Sequence, residues 1–211
     1  DLTFFKKQYD RFQKMISLLK AKPKMIHASN SAASLRKLGS FFNAIRFGVS
    51  MYGLSPSPQI KEELPFTLKE AFSLRTKVSH VKKISAGDSV SYGATYTAAE
   101  DEWIATIPIG YADGWLRKLQ GQEVLIDGAR AKIVGRICMD QCMIKIPHKV
   151  EIGTTVTLIG QDGEDRISID DIAKRLETIN YEIPCLISSR VPRVYKKGGA
   201  VYEVMNFILQ S

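Results

Sequence analysis

Apolar residues recur at Phe5, Tyr9, Phe12, Ile16 and Leu19, spaced four, three, four and three apart, with Lys6, Lys7, Arg11 and Lys14 off that line. This period predicts an amphipathic helix, ended by Pro23. Short runs at Lys24–Ala28 and Asn43–Phe47 predict two buried strands. Between them lies Ser29-Asn30-Ser31-Ala32-Ala33-Ser34, whose serines and asparagine suit the cap of a helix running to about Leu38. Gly48-Val49-Ser50-Met51-Tyr52-Gly53 follows as a glycine turn. Helix, strand, polar turn, helix, strand is α/β grammar with a parallel sheet. It holds about two strand–helix units, whereas a (β/α)8 barrel needs roughly 250 residues. Residues 1–67, closing linker included, therefore predict only a segment of such a barrel.

Pro56, Pro58 and Pro65 mark 54–66 as a linker. Beyond it the pattern changes to alternation, which predicts strands over Phe72–Ile84, Asp88–Tyr96, Trp103–Ile109, Glu123–Val134 and Thr154–Ile159. Asp127-Gly128 predicts a hairpin turn. Lys197-Gly198-Gly199 predicts another between Val191–Tyr195 and Ala200–Val204. One helix, near Ile169–Leu176, opens at Ser168. Residues 68–211 thus predict a mostly β domain.

With 45% hydrophobic and 25% charged residues the composition is that of an ordinary globular chain. No apolar run approaches the roughly 20 residues of a membrane helix, and no signal-peptide pattern opens the chain. The net charge of +8 is uneven: residues 1–67 hold 11 Lys and Arg against 4 Asp and Glu, residues 68–211 hold 19 against 18. The surplus sits largely on the first helix and its connections. Without an aromatic–basic stripe it reads as a solvated helix face rather than a nucleic-acid surface. Cys138, Cys142 and Cys185 cannot all pair. They predict reduced thiols and a cytoplasmic setting, and they offer no zinc ligand set.

The candidate chemistry centres on Val90-Ser91-Tyr92-Gly93-Ala94-Thr95-Tyr96. Gly110-Tyr111-Ala112-Asp113-Gly114-Trp115 and Gly135-Arg136-Ile137-Cys138-Met139-Asp140 read as its partners. In the first part, the turns at Ser31 and Gly48 offer backbone N–H groups and a hydroxyl, as phosphate sites do. Ordinary capping explains them equally well. Arg46 ends a buried-looking strand, where a charge needs a partner, and His27 is placed similarly one strand over.

These stretches, together with His27-Ala28-Ser29-Asn30-Ser31-Ala32, Arg46-Phe47-Gly48 and Thr178-Ile179-Asn180-Tyr181-Glu182, resemble the alanine racemase family in order and spacing over essentially the whole chain. The resemblance implies a pyridoxal 5'-phosphate enzyme that interconverts L-alanine and D-alanine and supplies D-alanine to the cell wall. It implies a homodimer whose active site is shared between subunits. It assigns the cofactor phosphate to Asn30, Ser31, Gly48 and Val49, with a hydroxyl from Tyr181. Arg46 faces the pyridine nitrogen, with His27 behind it. Tyr92 is the acid/base group for one enantiomer. Met139 holds the substrate carboxylate, Asp140 supports that region, and Tyr111, Arg117, Arg136 and Ile179 line the entry.

The residue types suit that chemistry. An arginine can only donate to a pyridine nitrogen, so the ring stays unprotonated and is a weaker electron sink. Racemisation removes a proton from one face and returns one to the other, which takes two bases. A tyrosine titrating near 10 costs about 4 kcal/mol to ionise at pH 7, so a nearby cation or relay is required. The family's other base is a lysine in a Lys-Ala-x-Ala-Tyr-Gly type stretch. The 211 residues contain none, since Lys20-Ala21 has a different sequel. The expectation is a C-terminal part that starts inside the barrel and is inactive alone. Other readings are a related racemase or decarboxylase of barrel-plus-β plan, disfavoured for the decarboxylase by Tyr92 and Cys138-Met139-Asp140, and a non-catalytic assembly module.

Overall fold

The structure, a computed structural model, describes residues 2–38 and 42–209. The chain divides into two units, with the boundary between Ala71 and Phe72.

The first unit opens with helix α1 (Leu2–Ser17). Phe5, Tyr9, Phe12 and Ile16 are its half-buried residues. Tyr9 and Phe12 pack on the Phe42 ring at 5.4 and 5.2 Å, and Phe5 stacks on Tyr9. The helix ends six residues before Pro23, through tight turns from Leu18 and Leu19 back to Met15 and Ile16. Leu19 therefore lies outside it and is exposed. The two predicted strands reduce to one parallel bridge, His27 to Ala44. Asn43 supplements it, accepting from Ile26 N at 2.8 Å and donating to Lys24 O at 2.7 Å. Ile45, Arg46 and Phe47 are exposed rather than buried, because no described residue pairs with this segment beyond the His27 side. Helix α2 (Ser31–Leu35) is capped by the Asn30 side chain, and turns carry the chain on to Leu38. The predicted linker contains helix α3 (Pro58–Glu63), started by a Ser57 cap and a proline in its first turn. Arg36 grips Glu63 with two nitrogens at 2.7–2.8 Å.

In the second unit the predicted strand over Phe72–Ile84 is two strands, β1 (Leu74–Lys77) and β2 (His80–Ile84). Asp88–Tyr96 is no single strand either. It forms β3 (Ser89–Val90) and β4 (Tyr96–Thr97) around a 3-10 turn at Tyr92–Ala94. Strands β5 (Glu102–Ile107), β6 (Glu123–Ile126), β7 (Ala129–Val134), β8 (Cys142–Ile146), β9 (Thr155–Asp162) and β10 (Asp165–Ile167) follow. Asp127-Gly128 makes the β6–β7 hairpin, with both residues at positive φ. Helix α4 (Ile169–Leu176) opens at Ser168 through a capping box with Asp171. A second helix, α5 (Glu182–Leu186), was not predicted. The ribbon β11 (Arg193–Lys197) and β12 (Ala200–Met205) closes the unit through Gly198-Gly199.

The main sheet runs β1-β9-β6-β7-β8-β5-β2, antiparallel throughout. Its edge strands β1 and β2 are separated by only Val78 and Ser79. A flat sheet of seven strands would set them about 29 Å apart, far beyond that reach. The sheet therefore curls until its edges meet. Val78 N bonds to Thr154 O on one side and Ser79 N to Thr106 O on the other, both at 2.9 Å. The core lies within this curl, where Ala105, Ile107, Ile126, Ile144, Val156 and Leu158 are fully buried.

Candidate functional site

In the first unit, chain direction builds a donor-rich corner. Arg46 N donates to Ser29 O at 2.7 Å. This places the Arg46 Nη1 3.0 Å from His27 Nδ1. A guanidinium only donates, so Nδ1 accepts and the ring proton sits on Nε2. Both side chains are exposed. Asn30 Oδ1 accepts from Ala33 N at 3.0 Å and fixes the start of α2. Ser31 is buried, and its Oγ accepts from Gly48 N at 3.0 Å. That bond ties the two turns together at the point where Val49 opens a 3-10 turn (Val49–Tyr52). A groove of about 320 Å³ adjoins this corner, lined among others by Phe5, Tyr9, Phe12, His27, Asn30 and Arg46. Among the described residues, no carboxylate lines it. Aromatic walls, a fixed cation, and hydroxyl and amide donors suit a flat heterocycle with an anionic arm.

The second unit brings the three stretches singled out above into contact. Gly110 has no room for a side chain: a Cβ there would lie 2.3 Å from the carbonyl oxygens of both Cys138 and Met139. Tyr111 N and Ala112 N donate to those same oxygens at 3.1 and 3.0 Å. The Tyr111 turn and the Met139 turn are thereby locked. Gly135 packs on the Tyr92 turn just as closely, since a Cβ would sit 2.6 Å from Ser91 Cβ. Ser91 Oγ donates to Arg136 O at 2.7 Å. The Arg136 guanidinium lies about 3.5 Å from where a Gly93 Cβ would be, so a cation stands beside the residue after Tyr92. Tyr92 is 73% exposed and Met139 54%. Ser91, Gly93 and Ala94 all have positive φ. Tyr92 thus projects from a tight, left-handed turn rather than from a strand.

Tyr181 precedes α5, and burial pushes its phenol above the ordinary value. It therefore stays a proton donor at neutral pH. The end of α5 seats on the Tyr111 turn, where Gly114 meets Leu186 O and Ser188 N donates to Asp113 O at 3.1 Å.

Comparison with known proteins agrees with this layout. The family model described as alanine racemase, C-terminal domain, matches residues 71–195, and that described as alanine racemase, N-terminal domain, matches residues 1–56. An alanine racemase from Anoxybacillus flavithermus is 56% identical over 99% of the chain and 54% of its own length. The crystal structure of alanine racemase from Bacillus anthracis with bound L-Ala-P superposes with a TM-score of 0.91, at 52% identity, over 99% of this chain and 55% of that one. The chain belongs to the alanine racemase family. It spans about half the length of the relatives it matches. A histidine racemase from Leuconostoc mesenteroides is also similar, at 33% identity and a TM-score of 0.80 over 88% of this chain and 50% of its own.

Within this racemase-family chain, the candidate residues fall into two groups. His27, Asn30, Ser31, Arg46, Gly48 and Val49 lie together in the first unit. Tyr92, Tyr111, Arg136, Met139 and Asp140 lie on adjoining turns of the second, with Tyr181 on the segment leading into α5. Arg117 is exposed at the start of a 3-10 turn and Ile179 is exposed. Sequence reasoning missed Arg190, which reaches Asp140 and Asp113. It also missed the buried Glu102, which receives the Tyr96 hydroxyl. Neither has a local signal: Glu102 ends the acidic run Glu100-Asp101-Glu102 and reads as one more exposed charge, and Arg190 is 50 residues from Asp140.

Proposed function

We propose that this chain provides the acid/base tyrosine and the phosphate-binding turns of an alanine racemase, which interconverts L-alanine and D-alanine with pyridoxal 5'-phosphate in the cytoplasm. The observation that carries the proposal is the tie between Ser31 Oγ and Gly48 N, with the Arg46–His27 pair beside the same groove. Residues 1–67 are read as the last part of a cofactor-binding (β/α)8 barrel with its linker, and 68–211 as the β domain. Ser31, Asn30, Gly48, Val49 and the Tyr181 hydroxyl would hold the phosphate, and Arg46 would donate to the ring nitrogen. The bound cofactor would delocalise the charge left when an α-proton is removed.

This chain's residues do the rest. Arg46 cannot give up a proton, so it keeps the ring nitrogen as an acceptor. His27 holds the guanidinium in place through Nδ1. Tyr92 would remove or return the proton on one face of the substrate. The backbone N–H of Met139 would hold the substrate carboxylate, in a turn fixed by the bond from Ala112 N to the Met139 carbonyl. Alanine is favoured over histidine as substrate because relatives named alanine racemase reach 59% identity, against 33% for the histidine racemase.

The test is racemisation of L- and D-alanine by the protein at family length, with Tyr92→Phe beside it. Turnover in both directions, lost in Tyr92→Phe with folding intact, is expected. Release of carbon dioxide without racemisation would point to a decarboxylase, and absence of both to an assembly module. The 211 residues alone are expected to give no single-site pyridoxyl-lysine adduct after borohydride reduction.

A further inference from the structure

We infer that Glu102, acting through Tyr96, is a positioning residue for Tyr92; this rests on the reading of Tyr92 as an acid/base group. The hairpin that presents Tyr92 is short: two ladder pairs, Ser89 with Thr97 and Val90 with Tyr96, extended at its base by backbone bonds from Ala98 N to Asp88 O and from Gly87 N to Ala98 O. So short a ribbon does not hold itself together in water. The five residues it carries include Ser91 at φ 69° and Ala94 at φ 47°, left-handed positions that a non-glycine residue keeps only when its surroundings impose them. Two anchors impose them. On the entering side, Ser91 Oγ is bonded to Arg136 O. On the leaving side, the Tyr96 hydroxyl donates to Glu102 Oε1 at 2.5 Å.

The second anchor is unusual in its setting. Glu102 is 5% exposed and begins β5 in the main sheet. A carboxylate there is costly unless it is paired. Lys145 Nζ on the neighbouring β8 stands 2.5 Å from Oε2, leaving Oε1 for the phenol. The Tyr96 ring meanwhile packs on Ile84, Val90, Ala98, Ile104 and Val134. A phenol bonded to a charged acceptor is strong and directional. The main sheet thus grips the hairpin through one phenol, whose ring packs on it and whose hydroxyl is bonded to it, four residues from Tyr92. Misplacement of a reacting group by about an ångström costs up to about 100-fold in rate, so release of this grip reaches the chemistry.

The experiment uses the protein at family length. Tyr96→Phe keeps the ring and removes the hydroxyl. Glu102→Gln keeps shape and an acceptor but not the charge, and guards against a variant that fails to fold. Two quantities are read: exchange of the α-hydrogen with solvent from each alanine enantiomer, and backbone hydrogen exchange over residues 89–97. Tyr96→Phe is expected to slow exchange about 10-fold or more from the enantiomer that Tyr92 deprotonates, with little change for the other and little change in KM. Hydrogen exchange should quicken over 91–95 and not in the main sheet. Glu102→Gln should lose less, and the double variant should lose no more than Tyr96→Phe alone. Equal loss for both enantiomers in Tyr96→Phe, alongside unequal loss in Tyr92→Phe, would overturn the inference alone. Equal loss in Tyr92→Phe would overturn the acid/base reading and the inference with it.

Discussion

Arg190 Nη2 donates to Asp140 Oδ1 at 2.6 Å, while its Nε stands 3.5 Å from Asp113 Oδ1. One guanidinium therefore bridges the turn that carries Met139 and the turn that carries Tyr111. Its hydrogen bond to Asp140, reinforced by the charge of Asp113, holds the arginine above its ordinary pKa. Asp113 is itself committed, since its Oδ2 accepts from Gly110 N at 2.9 Å. The bridge is largely exposed, so it contributes little to global stability. Its effect is local, on where the Met139 amide points. Arg190→Gln is expected to raise the KM for alanine several-fold while leaving kcat and Tm nearly unchanged. A steady-state comparison of the two proteins checks this, and an unchanged KM would sink it.

A steric prediction concerns the same pair of turns. Gly110 has φ −146°, backbone that any residue adopts, so its constraint is space alone. A methyl group there would meet the carbonyl oxygens of Cys138 and Met139, which are backbone and cannot swing aside. Gly110→Ala is expected to cost about 3 kcal/mol, at the upper end of overpacking, and to abolish activity. Gly128→Ala is the control. Its φ of +73° is strained for alanine, but nothing lies within 4 Å of the added carbon. That change should cost only about 1 kcal/mol and spare activity. Thermal denaturation of both variants, read beside their turnover, separates the two outcomes.

These turns also show how far the sequence could be read. Local signals were legible. Ser168 marked the start of α4, Asp127-Gly128 marked a hairpin, and the Phe5 to Ile16 stripe marked α1. Position along the chain was enough to single out the Tyr92, Tyr111 and Met139 stretches. What failed was set by contacts far away in sequence. The run Phe72–Ile84 alternates evenly, and nothing in it says that Val78-Ser79 passes from one edge of a curled sheet to the other. Tyr92 sits among strand formers, yet Gly135 and Arg136 force Ser91 into a left-handed turn. The Ser57-Pro58 start of α3 was a local signal, hidden by reading three prolines as a linker. The segments at Lys24–Ala28 and Asn43–Phe47 keep a strand's sequence but find one bridge.

Tyr96 gives a prediction in pH. Burial first, then its hydrogen bond to Glu102, push its phenol up to about 12. A raised value in the fold means that folding favours the protonated phenol. The stability this contributes is fully present below about pH 10, the value of an unfolded tyrosine, and is lost as the pH rises through 12. Following phenolate absorbance against pH, a tyrosine titrating near 12 is expected in the native protein and should vanish from the curve in Tyr96→Phe. Stability measured by denaturant should fall more steeply between pH 10 and 12 in the wild type than in that variant. Equal slopes would show that the hydroxyl is not held as described.

The last prediction is that the site is assembled between two copies of the protein. Ser31 and Arg46 belong to the first unit and Tyr92 and Met139 to the second, so the proposed chemistry needs groups from both. Proton transfer requires the reacting atoms within about 3 Å. Either the second unit of a chain serves its own first unit, or it serves that of a partner. In a two-fold dimer the second arrangement makes two equivalent sites, because whatever one copy lends it also receives. The resemblance to alanine racemases favours that arrangement. Two inactive variants at family length decide it: Tyr92→Phe, which lacks the acid/base group, and Arg46→Glu, which puts an acid opposite the ring nitrogen. In a mixed dimer with exchange of groups, one site pairs the intact Arg46 with the intact Tyr92, and the other has both defects. Random re-association of equal amounts makes half the dimers mixed, so activity should return to about a quarter of the wild-type value. Within a single chain each site would keep one defect and the mixture would stay inactive. Inactive mixtures in which mixed dimers are demonstrated by mass would therefore place Tyr92 in its own chain's site.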